Sequence, residues 1–142
     1  SKDQIIYFNY HVGGVTFIKP INNQYLSSGD VDGQIVIWKY SQKPNEYTRH
    51  FPHGSRIFNI ENINNTFILT TGNNDRKLRF WDPITGNNYR YIDLGQDKMS
   101  RYVIYFWSRY LAASISDGSI RIYDIQPLEA TILKVLNGHT IW

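Results

Sequence analysis

The chain reads as an all-β protein in which one four-stranded antiparallel unit is used repeatedly. Three observations lead there. Apolar Ile35 and Ile37, Leu78 and Phe80, and Ile120 and Ile122 alternate with Val36, Arg79 and Arg121, which is the period of two expected of a sheet. Asp-Gly pairs at Asp32–Gly33 and Asp117–Gly118 follow short apolar segments, and glycine tolerates the positive φ of a tight hairpin turn. Landmarks also recur at fixed distance: Leu26, Leu69 and Leu111, then Asp32, Asp75 and Asp117, then Trp38, Trp81 and Tyr123, each set 43 and 42 residues apart.

The elements follow in order. Residues 3–9 look like an outer strand. Residues 14–19, 56–61 and 101–106 form the first strand of each unit, and 25–28, 67–71 and 110–114 the second. The third carries the alternating residues above, and the fourth covers 46–51, 88–93 and 131–136. Pro44, Pro83, Gly86 and Pro127 punctuate the loops after each third strand. Thirteen short strands and no helix result. The turn of the second unit has Asp75–Arg76 instead of Asp-Gly, so it is less well specified.

Composition excludes several classes. With 42% hydrophobic and 19% charged residues among 142, the chain is neither a disordered tail nor a charge-dominated arm. It has no Cys, hence no disulfide, thiolate metal site or Cys nucleophile. The net charge of +3 comes from Lys and Arg scattered among acids, without a basic stripe. No apolar run approaches the roughly 18 residues of a membrane span. The first residues lack the basic-then-apolar order of a signal peptide.

A four-stranded unit of about 40–45 residues ending its third strand in Trp-Asp resembles the WD-repeat β-propeller family. The residues that carry the likeness are Trp81–Asp82 with Thr85–Gly86, the weaker Trp38–Lys39 and Tyr123–Asp124, and Gly138–His139. The resemblance implies a β-propeller of four-stranded antiparallel blades, with about three blades present and an incomplete ring. Residues 1–142 then form a single segment. Residues 1–11 are the outer strand of a preceding blade; 12–51, 54–94 and 98–136 are blades, and 137–142 start another. Closed propellers use about 4–8 blades, so the remaining blades are expected from the same or another chain.

The resemblance also implies a hydrogen-bonded relay of His, Ser or Thr, Asp and Trp in each blade. Mapped here, the first blade has His11, Ser28, Asp32 and Trp38, and the second His53, Thr71, Asp75 and Trp81. The third retains Asp117, with Ala113 in the hydroxyl place and Tyr123 for Trp, and is expected to be held less tightly. On this mapping Asp75→Ala should destabilise more than Asp30→Ala.

Other chemistry weighs less. Ser28, His11 and Asp32 have the residue types of a hydrolase triad, but the trio recurs one repeat later, as a structural device does. His50 and His53 fall short of the three or four ligands of a zinc site. The residues Arg49, His50, Arg56, Arg76 and Lys77 form the best basic patch, able to grip phosphates, although a solvated rim is the simpler reading. Aromatic runs at Tyr89–Tyr91 and Tyr102–Trp107 are expected to be mostly core. The function expected is a non-enzymatic scaffold that docks other proteins through rim loops, such as Val31, Asn73–Asn74 and Gln42–Asn45. It needs no cofactor or metal and works inside the cell, in cytoplasm or nucleus. A propeller binding RNA or DNA through basic rim residues is the alternative.

Overall fold

Alternating β-branched and aromatic residues suit strands that bury one or both faces, and the computed structural model forms them throughout. It describes residues 10–40, 47–50 and 53–139. The expected strand at residues 3–9 and the loop at 42–45 lie outside these. Three four-stranded antiparallel sheets result, each a simple meander. The first comprises β1 (Val15–Pro20), β2 (Tyr25–Asp30), β3 (Ile35–Lys39) and β4 (Tyr47–His50). The second comprises β5 (Ile57–Ile63), β6 (Phe67–Gly72), β7 (Lys77–Trp81) and β8 (Asn88–Asp93). The third comprises β9 (Val103–Phe106), β10 (Tyr110–Ser114), β11 (Ser119–Asp124) and β12 (Thr131–Asn137). No helix occurs among the described residues.

The core lies between the sheets. Ile21, Ile35 and Ile37 of the first unit meet Ile57, Ile60, Ile68 and Trp81 of the second. Leu69, Leu78, Phe80 and Ile92 of the second meet Val103, Leu111, Ala113 and Tyr123 of the third. Strand periodicity explains the split, because successive side chains point to opposite faces. Trp81 therefore faces the first sheet while its neighbour Phe80 faces the third. Strand β5 lies against both β1 and β9, so the first strands of the three sheets gather on one side and the fourth strands form outer edges.

The three central hairpins differ in register. β2 and β3 pair Leu26 with Trp38 and Ser28 with Val36. β10 and β11 pair the equivalent Leu111 with Tyr123. β6 and β7 instead pair Ile68 with Trp81 and Thr70 with Arg79, one residue out of step. The turns account for this. Gly33 and Gly118 take positive φ of 86° and 87° in the first and third units, whereas Asn74 takes φ of 56° in the second. The unit without Asp-Gly closes with a longer connection.

Candidate functional site

Two hydrogen-bonded relays tie the sheets to the loops that enter them. His11 lies just before β1. Its Nδ1 is 2.7 Å from Asp30 Oδ2 and its Nε2 is 2.6 Å from Ser28 Oγ. Trp38 Nε1 donates to the same Ser28 Oγ at 2.7 Å. Every donor finds an acceptor if Trp38 donates to Ser28, the Ser28 hydroxyl to His11 Nε2, and His11 Nδ1–H to the Asp30 carboxylate. The other oxygen of Asp30 accepts the backbone N–H groups of Asp32 and Gln34 at 3.0 and 2.9 Å. Asp30 thus closes the relay and shapes the β2–β3 turn.

The second relay repeats this chemistry. His53 Nδ1 is 2.5 Å from Asp75 Oδ2, and its Nε2 is 2.6 Å from Thr70 Oγ1. Trp81 Nε1 donates to Thr70 Oγ1 at 3.2 Å. Arg79 Nε adds a bond to Asp75 Oδ2 at 2.7 Å. Burial pulls the Asp75 carboxyl upward, but hydrogen bonds from His53 and Arg79 outweigh it and hold the group at about 2. Gly72 permits the arrangement, since a Cβ there would stand 2.6 Å from the His53 ring.

Two expected positions need correction. Asp32 is exposed and does not bond His11; Asp30, two residues earlier on the same strand face, takes that place. Thr71 is not the hydroxyl of the second relay. The register offset turns Thr70 toward the first sheet, while Thr71 Oγ1 makes a long 3.4 Å bond to Arg101 O. The expected ranking of Asp75→Ala above Asp30→Ala fails with the first correction.

The third sheet has no histidine at this place. Lys98 Nζ donates to Asp117 Oδ2 at 2.8 Å, and the Ser119 N–H and hydroxyl donate to Asp117 Oδ1. The Lys98 hydrogen bond, helped by Ser119, holds the Asp117 carboxyl far below the usual carboxylate range. Arg121 adds a longer ion pair at 3.7 Å, in the place that Arg79 holds in the second sheet. Tyr123 fills the Trp position, but its hydroxyl is buried and has no partner among the described residues.

Comparison with known proteins agrees with the repeat. The profile of the WD domain, G-beta repeat family matches residues 3–39. The WD40 β-propeller domain of Doa1 superposes with a TM-score of 0.76 at 13% identity, over 92% of this chain and 43% of that one. The chain belongs to the WD-repeat family. The human U3 small nucleolar RNA-interacting protein 2 is 26% identical over 66% of this chain, and the Dictyostelium discoideum protein LST8 homolog 31% identical over 51%. This WD-repeat chain spans only 21% and 23% of the lengths of those two relatives. WD40 propellers are generally non-enzymatic scaffolds whose repeats mediate protein–protein interactions within assemblies. No helix is long and apolar enough to cross a membrane.

On the WD-repeat blades the expected basic patch does not assemble. His50 donates or accepts at Pro83 O, 2.8 Å away, and packs edge-on against Trp81 at 5.1 Å. Lys77 lies 4.1 Å over the Tyr91 ring, and Arg76 pairs with Asp93 at 3.7 Å. Arg56 is exposed; the Arg49 side chain lies outside what is described. Arg76 and Lys98 instead share a shallow cleft with Asn74, Gln96, Asp97 and Met99 where the β6–β7 turn meets the chain entering β9.

The aromatic runs are also less buried than expected. Tyr89, Tyr91, Tyr102 and above all Trp107 are exposed, the last to 82%. Trp107 and Ser108 are the central residues of the β9–β10 turn, closed by Arg109 N–H to Phe106 O at 3.3 Å. Both have positive φ, 51° and 52°. The same turn of the preceding blade uses Asn64 and Asn65, with φ of 52° and 57°. The mirror-image turn suits Asn and penalises Trp, and nothing in the sequence marks Trp-Ser as a turn of this kind.

Proposed function

We propose that this chain is a rigid, non-enzymatic scaffold that docks other proteins within a larger intracellular assembly. Trp107 carries the reading. A bulky aromatic occupies a turn position built for Asn and is presented to solvent, and large exposed aromatics at such sites are typical anchors of protein interfaces. Strain retained where packing does not require it points to a use outside the fold. The relays supply rigidity: each ties an entering loop to two strands through one continuous chain of bonds.

Ser28, His11 and Asp30 have the geometry of a nucleophile, base and orienting acid. Ser28 is only 4% exposed and already accepts the Trp38 indole N–H. A substrate carbonyl cannot reach it without unpacking the blade. Labelling of Ser28 by a broad serine-hydrolase probe on the folded protein would overturn the non-enzymatic reading.

The test of the scaffold reading is an affinity pull-down of the intact protein beside its Trp107→Asn variant, read by mass spectrometry. Asn keeps the turn and removes the anchor. Loss of a defined set of proteins is expected; identical recoveries would remove the reading. A second reading, RNA binding, is favoured by the relative named for interaction with U3 small nucleolar RNA. It requires retention on RNA that falls with salt and is lost in Arg76→Glu with Lys77→Glu.

A further inference from the structure

The second and third blades leave a cleft of about 560 Å³ between β8 and the loop joining β11 to β12. Its apolar lining includes Ile92, Ala130, Ile132 and Leu128, the last 91% exposed. Arg90 forms one wall. Its guanidinium stacks 4.5 Å over Phe80 and caps the loop, with Nη1 donating to Pro127 O at 2.8 Å and Nη2 to Ile125 O at 2.7 Å. Tyr123 forms another wall.

Among the described residues, three buried side-chain polar atoms lack a partner: Gln34 Oε1, Arg90 Nε and Tyr123 Oη. Two of the three belong to this cleft, and both can donate. Tyr123 is only 2% exposed. A buried donor left unpaired costs about 1–3 kcal/mol and is rare in native proteins. In the other blades the residue at this position is Trp, whose N–H is answered by Ser28 or Thr70. In the third, Ala113 lines up with Ser28 and offers nothing. The donor is kept while its internal acceptor is missing.

We propose that this cleft is a docking groove for an extended, apolar, uncharged peptide segment of a partner protein, whose backbone carbonyl accepts from Tyr123 Oη–H. The chemistry narrows the occupant. Orphan donors call for an acceptor. Asp93 and Glu129 also line the cleft and repel a carboxylate or phosphate. The apolar walls suit aliphatic side chains. Strand β8 is the outer edge of its sheet, so half its backbone groups are open to an added strand. The proposal rests on the scaffold reading and names a second contact surface for it, apart from the Trp107 turn.

The test uses the intact protein and a phage-displayed library of random peptides as the probe. Enriched peptides should share an apolar, uncharged centre. Tyr123→Phe removes only the unpaired hydroxyl, so it should weaken their binding about tenfold without lowering the melting temperature. Leu128→Glu, at an exposed position, should abolish binding. Enrichment of no peptide, or peptides that bind both variants as they bind the parent protein, overturns the groove. If pull-down partners still depend on Trp107 in that case, the scaffold reading stands and only the groove falls. Loss of the Trp107 dependence with the groove intact would have the opposite meaning.

Discussion

His11 Nδ1 meets Asp30 Oδ2 across 2.7 Å, with both side chains almost wholly buried. Asp30 is therefore committed to two tasks, since its other oxygen holds the N–H groups of Asp32 and Gln34. Asp30→Ala strands a buried histidine and two turn N–H groups, and a loss of about 2–4 kcal/mol is expected. Asp32 is exposed, and Asp32→Ala should change stability by less than about 0.5 kcal/mol. Denaturant titration of both variants checks this; equal losses would show that Asp32 shares the relay.

The one-residue offset of the second hairpin gives a sharper contrast between neighbours. Thr70→Val removes the group that accepts from Trp81 and bonds His53, and should cost about 1–3 kcal/mol. Thr71→Val forfeits only a 3.4 Å bond to Arg101 O while keeping a β-branched side chain in a buried site, so less than about 1 kcal/mol should be lost. Thermal melts decide between them. A larger loss at Thr71 would mean that the hairpin pairs in the same register as its neighbours.

What was legible in the sequence follows the range of the interactions involved. Alternation at Ile35–Ile37 or Leu78–Phe80 is local, and the sheets form there. The 42–43-residue recurrence carries the number of sheets. Asp30 and Asp32 could not be separated this way, because residues two apart share a strand face; the end of β2 at Asp30 makes the choice. Thr70 and Thr71 lie on opposite faces, so a single extra turn residue exchanges them. The one available signal was the missing Asp-Gly at Asp75–Arg76. Trp107 was read as core because aromatic runs usually are, while the turn around it depends on how β9 and β10 pair.

Asp75 makes the second relay sensitive to acid. Its folded pKa of about 2 lies below the 3.8 of an unperturbed carboxyl. A depressed carboxylate contributes stability that is complete above the unfolded pKa and disappears as pH falls through the folded one. The window is therefore about pH 4 down to about pH 2. Asp117 and Asp124, held low by Lys98 and Arg109, lose stability under acid as well. The difference between the parent protein and Asp75→Asn isolates the first term. Urea titrations across this window should show the parent losing more stability than the variant, and parallel curves would exclude Asp75 as an acid-sensitive element.

Trp107 yields the prediction whose sign runs against intuition. Removing a large aromatic usually destabilises, but this one is exposed and has φ of 51°. The left-handed region costs an ordinary residue about 1–2 kcal/mol, and Asn tolerates it far better. Against this stand ring contacts to Phe106 at 5.2 Å and Tyr110 at 6.2 Å. They lie in solvent, where little apolar area is removed from water. Trp107→Asn should therefore raise stability by about 1 kcal/mol while weakening partner binding. The preceding blade already carries Asn64 and Asn65 in the same turn. Calorimetry of the intact protein and the variant reads the sign directly. A lower melting temperature for Trp107→Asn would place the aromatic among the groups that hold the third blade, and remove the argument that it is kept for a partner.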